Sequence, residues 1–272
     1  MKKIVQIISL SVFCFFSFSS IVLAEFPVTE KLISEAFVQQ KGTCVFIDCS
    51  TGKKIIFNPE AASIPLPPCS TFKIWNALLG FESGIISSPD ELFWKWDGQT
   101  YSISDWNKDL TLKEAFKASC VPAFKNLARN IGSDKMKKWL EKIHYGDRDI
   151  SSGIDNFWLP TVWKKSILIS ALEQAELITK LVTGKIPCSE KSGNLLKEIM
   201  LVKCTDRGTF YGKTGTASEF NGRGGYNLGW FVGYVKTNNN TYSFACLIKG
   251  ENLMGKDARD IVEKILAKAE LL

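Results

Sequence analysis

The chain has 272 residues and a net charge of +6, with basic and acidic side chains interspersed. No basic block is present, which excludes the footprint of a nucleic-acid binder. A single histidine, His144, leaves a zinc hydrolase short of ligands and allows a Ser-His-Asp triad only around itself.

Lys2 and Lys3 precede an uncharged apolar run from Ile4 to Leu23, and Val22-Leu23-Ala24 puts small residues at a cleavage position. This predicts a signal peptide over 1–24, removed on export to the periplasm of a Gram-negative-type bacterium. The run is near spanning length, so an uncleaved anchor is the alternative. Polar sequence following at once favours cleavage, and then no stable membrane insertion is expected. Removal of Lys2 and Lys3 takes the net charge from +6 to +4, and removal of Cys14 takes the cysteines from eight to seven. An odd number in an oxidising compartment leaves at least one thiol free or paired between chains. Cys44 and Cys49 point to opposite faces of one predicted strand, so a bridge between them needs a bend. Most of the cysteines read as small buried apolar residues.

The mature chain is long enough for one large domain or two interlocked lobes. "VTEKLISEAFVQQKG" predicts a helix, and "GTCVFIDCSTGKKIIFN" two strands around Ser50-Thr51-Gly52. Between residues 70 and 203 the pattern turns helical. Helices are predicted at Ser70–Glu82, Leu112–Lys117, Ala123–Ile131, Lys135–Ile143, Trp163–Val182 and Ser192–Leu201. "NLGWFVGYVK" and "TYSFACLIK" predict a second hairpin across Asn238-Asn239-Asn240. Ala258, Ile261, Val262, Ile265, Leu266 and Ala269 give the last segment one apolar helical face. The expected fold is α/β in the α+β sense: one antiparallel sheet shared by 25–69 and 204–272, flanked by terminal helices, with 70–203 as an inserted helical lobe. Clefts between lobes favour sites.

Within "PPCSTFKIWNAL", Ser70 and Lys73 share a helix face. Pro67 and Pro68 stop a helix from running through, so Ser70 is expected in a first turn. Its N–H there lacks an intrahelical partner and can hold an oxyanion. Phe72, Ile74, Trp75 and Leu78 would desolvate Lys73 and lower its proton affinity, making it a base toward serine. The bland reading is an N-cap serine with a snorkelling lysine. Ser50 and Lys53 have the same spacing, but in a predicted turn. "FYGKTGTAS" places Lys213-Thr214-Gly215 after a predicted strand, with Gly215 permitting close approach. Ser119-Cys120-Val121 is weak alone. The order Ser-x-x-Lys, Ser-x-Val, Lys-Thr-Gly is the serine penicillin-recognising arrangement.

The chain resembles the class D (oxacillinase-type) serine β-lactamases over essentially its whole mature length. "PCSTFKI", "SCVPAF", "KIHYGDRDISSGIDNFWLP", "YGKTGT" and "GWFVGYV" carry the likeness. It implies β-lactam hydrolysis and antibiotic resistance, with Ser70 as nucleophile and Lys73 as general base in its N-carboxylated form. CO2 or bicarbonate would be needed for that modification, and no other cofactor and no metal. The likeness implies a carboxylysine pocket of Val121, Phe124, Trp158 and Leu159. Ser119 would relay a proton to the leaving nitrogen. The N–H groups of Ser70 and Thr216 would form the oxyanion hole. Lys213, Thr214, Gly215, Thr216 and Arg259 would bind the small-molecule β-lactam, chiefly through its carboxylate. Tyr145-Gly146-Asp147 departs from the family's Tyr-Gly-Asn. Asp147 keeps an acceptor and loses the amide donor, so the turn is expected to survive without a catalytic role. Two rivals stand beside the hydrolase: a β-lactam sensor domain that stays acylated, and a cell-wall penicillin-binding protein, whose usual Ser-x-Asn is here Ser-x-Val. Monomer and homodimer both stay open.

Overall fold

The computed structural model describes residues 26–38, 40–160, 167–217 and 227–272. The expected signal peptide lies outside these, as do Trp163 to Ser166 of the helix predicted over 163–182. In chain order the elements begin with α1 (Glu30–Phe37), β1 (Lys41–Asp48), β2 (Lys54–Phe57) and α2 (Pro59–Ala62). A 3₁₀ turn (Cys69–Phe72) runs into α3 (Lys73–Glu82), followed by β3 (Leu92–Trp94) and β4 (Leu110–Thr111). Then come α4 (Leu112–Lys117), α5 (Val121–Ile131), α6 (Ser133–Ile143), α7 (Ala171–Val182) and α8 (Glu190–Met200). The chain closes with β5 (Leu201–Cys204), β6 (Gly208–Ala217), β7 (Asn227–Thr237), β8 (Thr241–Gly250) and α9 (Gly255–Lys268).

The two ends of the chain share one antiparallel sheet, ordered β2-β1-β8-β7-β6-β5. Side chains alternate between its faces. Val45, Ile47, Ala245, Leu247, Trp230 and Val232 face the helical block. Cys44, Phe46, Phe244, Cys246 and Phe231 face α1 and α9, with Phe37, Ile265 and Leu266. Because both faces are covered, β7 and β8 are apolar almost throughout, a pattern more usual in parallel sheets. Among the described residues no helix is long and apolar enough to cross a membrane.

Both predicted hairpins form. Asp48 Oδ1 accepts from the N–H groups of Ser50 and Thr51, at 2.8 and 3.0 Å, and closes the first. Ser50 and Lys53 thus sit at an exposed turn, which removes them from contention. Several boundaries differ from expectation. The first helix stops at Phe37, because Lys41 and Gly42 pair with β8. The helix predicted from Trp163 starts at Ala171 instead: Ile169 bridges to Leu66, and Ser170 caps α7 in a capping box with Glu173. Lys213 to Gly215 lie inside β6, not after it. The lobe seam expected after residue 203 runs through β5, whose four exposed residues gave no alternation to read. The short β3–β4 pair was equally silent.

Four cysteines are buried (Cys44, Cys69, Cys120, Cys246), Cys49 and Cys188 are half-buried, and Cys204 is exposed. His144 is exposed at the C-terminal cap of α6, with left-handed φ 54° and its N–H closing to Glu141 O at 3.2 Å.

Candidate active site

Ser70 is set by the turn before α3. Trp230 Nε1 donates to Pro67 O at 2.9 Å and ties the prolines to β7. Cys69 takes a left-handed φ of 53°, and the chain enters a 3₁₀ turn rather than the α-helical first turn expected. In a 3₁₀ turn residues i and i+3 eclipse. Lys73 therefore lies over Ser70, and its Nζ donates to Ser70 Oγ at 2.7 Å. Thr71 Oγ1 shares its proton between Pro68 O (2.7 Å) and Gln174 Oε1 (3.0 Å), which fixes the turn against α7.

Lys73 is fully buried. Its Nζ stands 5.5 Å from the Phe124 ring centre. Burial, reinforced by the positive charge of Lys213, holds its proton affinity well below that of an ordinary lysine. Among the described residues no carboxylate forms an ion pair with it. Phe72 beside it stacks on Trp158, with ring centres 5.7 Å apart, and meets Phe157 edge-on. Trp158 is wholly buried, yet its indole N–H has no hydrogen-bond partner. An orphaned buried donor costs about 1–3 kcal/mol, so the position invites an acceptor. Leu159 is half-buried on the same core. Val121 is half-buried at the start of α5, where it lines a second cavity with Trp94, Tyr101 and Trp106.

Ser119 sits at left-handed φ 55° in the link between α4 and α5. Its Oγ is buried without a partner. Trp106 Nε1 donates to Ala118 O at 3.0 Å and steadies this link.

On the sheet side, β5 pairs with β6 only as far as Tyr211. Beyond it one edge of β6 has no strand neighbour among the described residues, and the 3₁₀ turn packs close by. A Cβ on Gly215 would stand 3.0 Å from Pro68 O and 3.1 Å from Thr71 Cγ2, so glycine lets the turn pack closely against β6. From the other side Gly255 must also lack a side chain, since a Cβ there would lie 2.6 Å from Gly215 O. Its N–H donates to Thr216 Oγ1 at 2.9 Å. Lys213 is buried, and burial takes its pKa down to about 7. Its Nζ donates to Thr214 O at 3.1 Å and stands 5.5 Å from the Phe116 ring centre. Lys213, Thr214 and Arg259 line one cavity of about 250 Å³ together with Phe116 and Lys117. Arg259 pairs loosely with Asp260, at 3.4 Å, and its Nε is buried without a partner.

The structure thus gathers the sequence-derived residues around two features: the Ser70–Lys73 pair and the cationic cavity beside β6. Phe116, Trp106, Gln174 and Gly255 were missed; they belong to no motif and reach the site only through packing. Trp230 lies within GWFVGYV, but its hold on Pro67 O was not foreseen. Asp147 holds its turn with acceptors alone: Oδ1 accepts from Asp149 N–H (3.1 Å) and Leu168 N–H (3.0 Å). The lost amide donor is not required there.

Residues 42–268 match the penicillin binding protein transpeptidase domain. The probable beta-lactamase YbxI of Bacillus subtilis (strain 168) is 34% identical over 245 residues, covering 90% of this chain and 87% of that protein. The class D beta-lactamase FUS-1 (OXA-85) of Fusobacterium nucleatum subsp. polymorphum superposes with a TM-score of 0.81 at 33% identity, over 90% of this chain and 99% of that one. The C-terminal domain of the Bacillus licheniformis BlaR penicillin-receptor superposes equally well, with a TM-score of 0.81 at 31% identity over 90% and 96% of the two chains. The arrangement of Ser70, Lys73 and the β6 edge, together with these likenesses over nine-tenths of the chain, makes it a member of the penicillin-binding-protein transpeptidase family, in the branch of the class D serine β-lactamases.

Proposed function

We propose that this protein is exported and hydrolyses β-lactam antibiotics through a serine acyl-enzyme, with N-carboxylated Lys73 as the general base, and so confers β-lactam resistance. One observation carries the reading: Lys73 Nζ lies 2.7 Å from Ser70 Oγ in full burial, with no carboxylate paired to it among the described residues. Only a neutral amine takes up CO2, and burial favours the neutral form. The surroundings fit the modification: an apolar wall with Phe124 and Leu159, Val121 at the start of the same helix, and the orphaned Trp158 N–H as a donor. Carboxylated, Lys73 would supply an anionic base within reach of the serine hydroxyl. Ser70 Oγ attacks the lactam carbonyl, and the N–H groups of Ser70 and Thr216 receive the developing oxyanion. Ser119 Oγ hands a proton to the departing lactam nitrogen. Lys213, Thr214, Gly215 and Arg259 hold the substrate carboxylate. Water then cleaves the acyl-serine and frees the enzyme. Export is supported by Lys2, Lys3 and the apolar run that follows them.

The likeness to the BlaR penicillin-receptor favours a second reading, in which Ser70 is acylated but not released. Two measurements separate the readings. Purified protein given [13C]bicarbonate is expected to show a carbamate carbon signal that Lys73→Ala lacks. Excess chromogenic β-lactam is expected to be consumed completely; a single equivalent would support the sensor.

A further inference from the structure

We infer that Cys44 and Cys246 form a cross-strand disulfide that staples β1 to β8. The two face each other directly in the β1–β8 register, between the pairs Thr43–Leu247 and Val45–Ala245. Both side chains enter the same layer, under α1 and α9, beside Phe46 and Phe244. Directly opposed residues of antiparallel strands have Cα atoms about 4.5–5.5 Å apart. A disulfide joins Cα atoms about 4.4–6.8 Å apart, so this pairing lies within its reach. The other cysteines are placed differently. Cys49 follows Cys44 by five residues of extended chain, about 16 Å away at the rise of a strand, which rules that bridge out. Cys69 and Cys120 lie near Lys73, in the core on the other face of the sheet. Cys188 and Cys204 lie away from this layer, before α8 and on the edge strand β5.

The setting also says when the bond forms. Both residues are fully buried. Burial, and then the adjoining Cys246 thiol, push the Cys44 thiol well above its ordinary range. Exchange requires a thiolate, so the folded pair is inert and the bridge forms while the sheet is still closing. In that step the two thiols give up two protons and two electrons. A disulfide donor of the export compartment takes the electrons and leaves as two thiols. Once the sheet is complete the bond is sealed from reductants. The loop it closes runs from β1 to β8 and contains Ser70, Lys73, Ser119 and all of β6. So long a loop restricts the unfolded chain strongly.

Formation in the cell rests on the proposed export; the geometry does not. Two preparations keep these apart. One is protein purified without reductant from the compartment it reaches. The other is reduced, denatured protein refolded in a mixture of oxidised and reduced glutathione. Each is denatured without reductant and alkylated. Both are expected to take up two labels fewer than the seven available thiols, and a digest is expected to yield one reducible peptide pair joining Cys44 to Cys246. Protein refolded with a reductant is expected to melt roughly 5–15 °C lower, a difference that Cys44→Ala/Cys246→Ala abolishes. Seven labels in the glutathione-refolded protein, or a bridge from Cys44 to any other cysteine, would overturn the inference. Seven labels in the exported preparation alone would count against export to an oxidising compartment.

Discussion

Lys73 Nζ and Ser70 Oγ stand 2.7 Å apart, and the lysine is fully buried while the serine still meets solvent. The proposed nucleophile and its proposed base are thus joined by the pitch of one 3₁₀ turn. Ser70→Ala is expected to abolish covalent labelling by a fluorescent penicillin. Lys73→Ala is expected to lower turnover by about 10²–10⁴-fold, the range of a general base. Steady-state rates and gel fluorescence check both.

The unpartnered Trp158 indole gives a narrower prediction. Trp158→Phe keeps an aromatic ring beside Phe72 and removes the N–H donor together with part of the indole's volume. Its activity is expected to depend on added bicarbonate and to recover as bicarbonate rises. Full activity in degassed buffer would show that the donor is idle.

Arg259 and Lys213 line the same cavity. Arg259→Ala is expected to raise KM for a carboxylate-bearing β-lactam roughly 10- to 100-fold, matching about 1.5–3 kcal/mol for a hydrogen bond to a charged group. The methyl ester of the same substrate is expected to be nearly indifferent to the change. Equal losses for acid and ester would point to a packing role instead.

Much of this site was legible because its chemistry is local. Ser70 and Lys73 meet through one turn, and Lys213 to Thr216 through one strand. The central strands were legible because two covered faces leave a continuous apolar run. What stayed hidden depends on distant partners. Phe116 meets Lys213, Gln174 meets Thr71, and Gly255 meets Thr216 only in the folded chain. The start of α7 was misread because Ile167 to Ile169 are as apolar as a helix face, while the bridge from Ile169 to Leu66 is non-local. Edge strand β5 is exposed along its whole length and shows no period.

Buried lysines also set a pH dependence. Lys213 titrates at about 7 when folded, against 10.5 ordinarily, and Lys73 is lowered as well. Between these values the unfolded chain binds more protons than the folded one, so stability rises with pH. Buried thiols act oppositely: Cys69 is raised to about 12 by burial, so stability falls once unfolded thiols ionise, above about pH 8.5. In CO2-free buffer, urea midpoints are expected to rise from pH 7 to about 8.5, Lys213 contributing up to about 1.4 kcal/mol per pH unit. Lys213→Met is expected to flatten the rise; an unchanged slope would contradict the assignment.

The most direct test of the account is one kinetic trace with excess chromogenic β-lactam, purified mature protein and bicarbonate. Complete, steady consumption of the excess is the result expected if acylated Ser70 is released and Lys73 serves as its base. A burst of one equivalent followed by arrest would mean a stable acyl-enzyme, and would contradict hydrolysis as the protein's function.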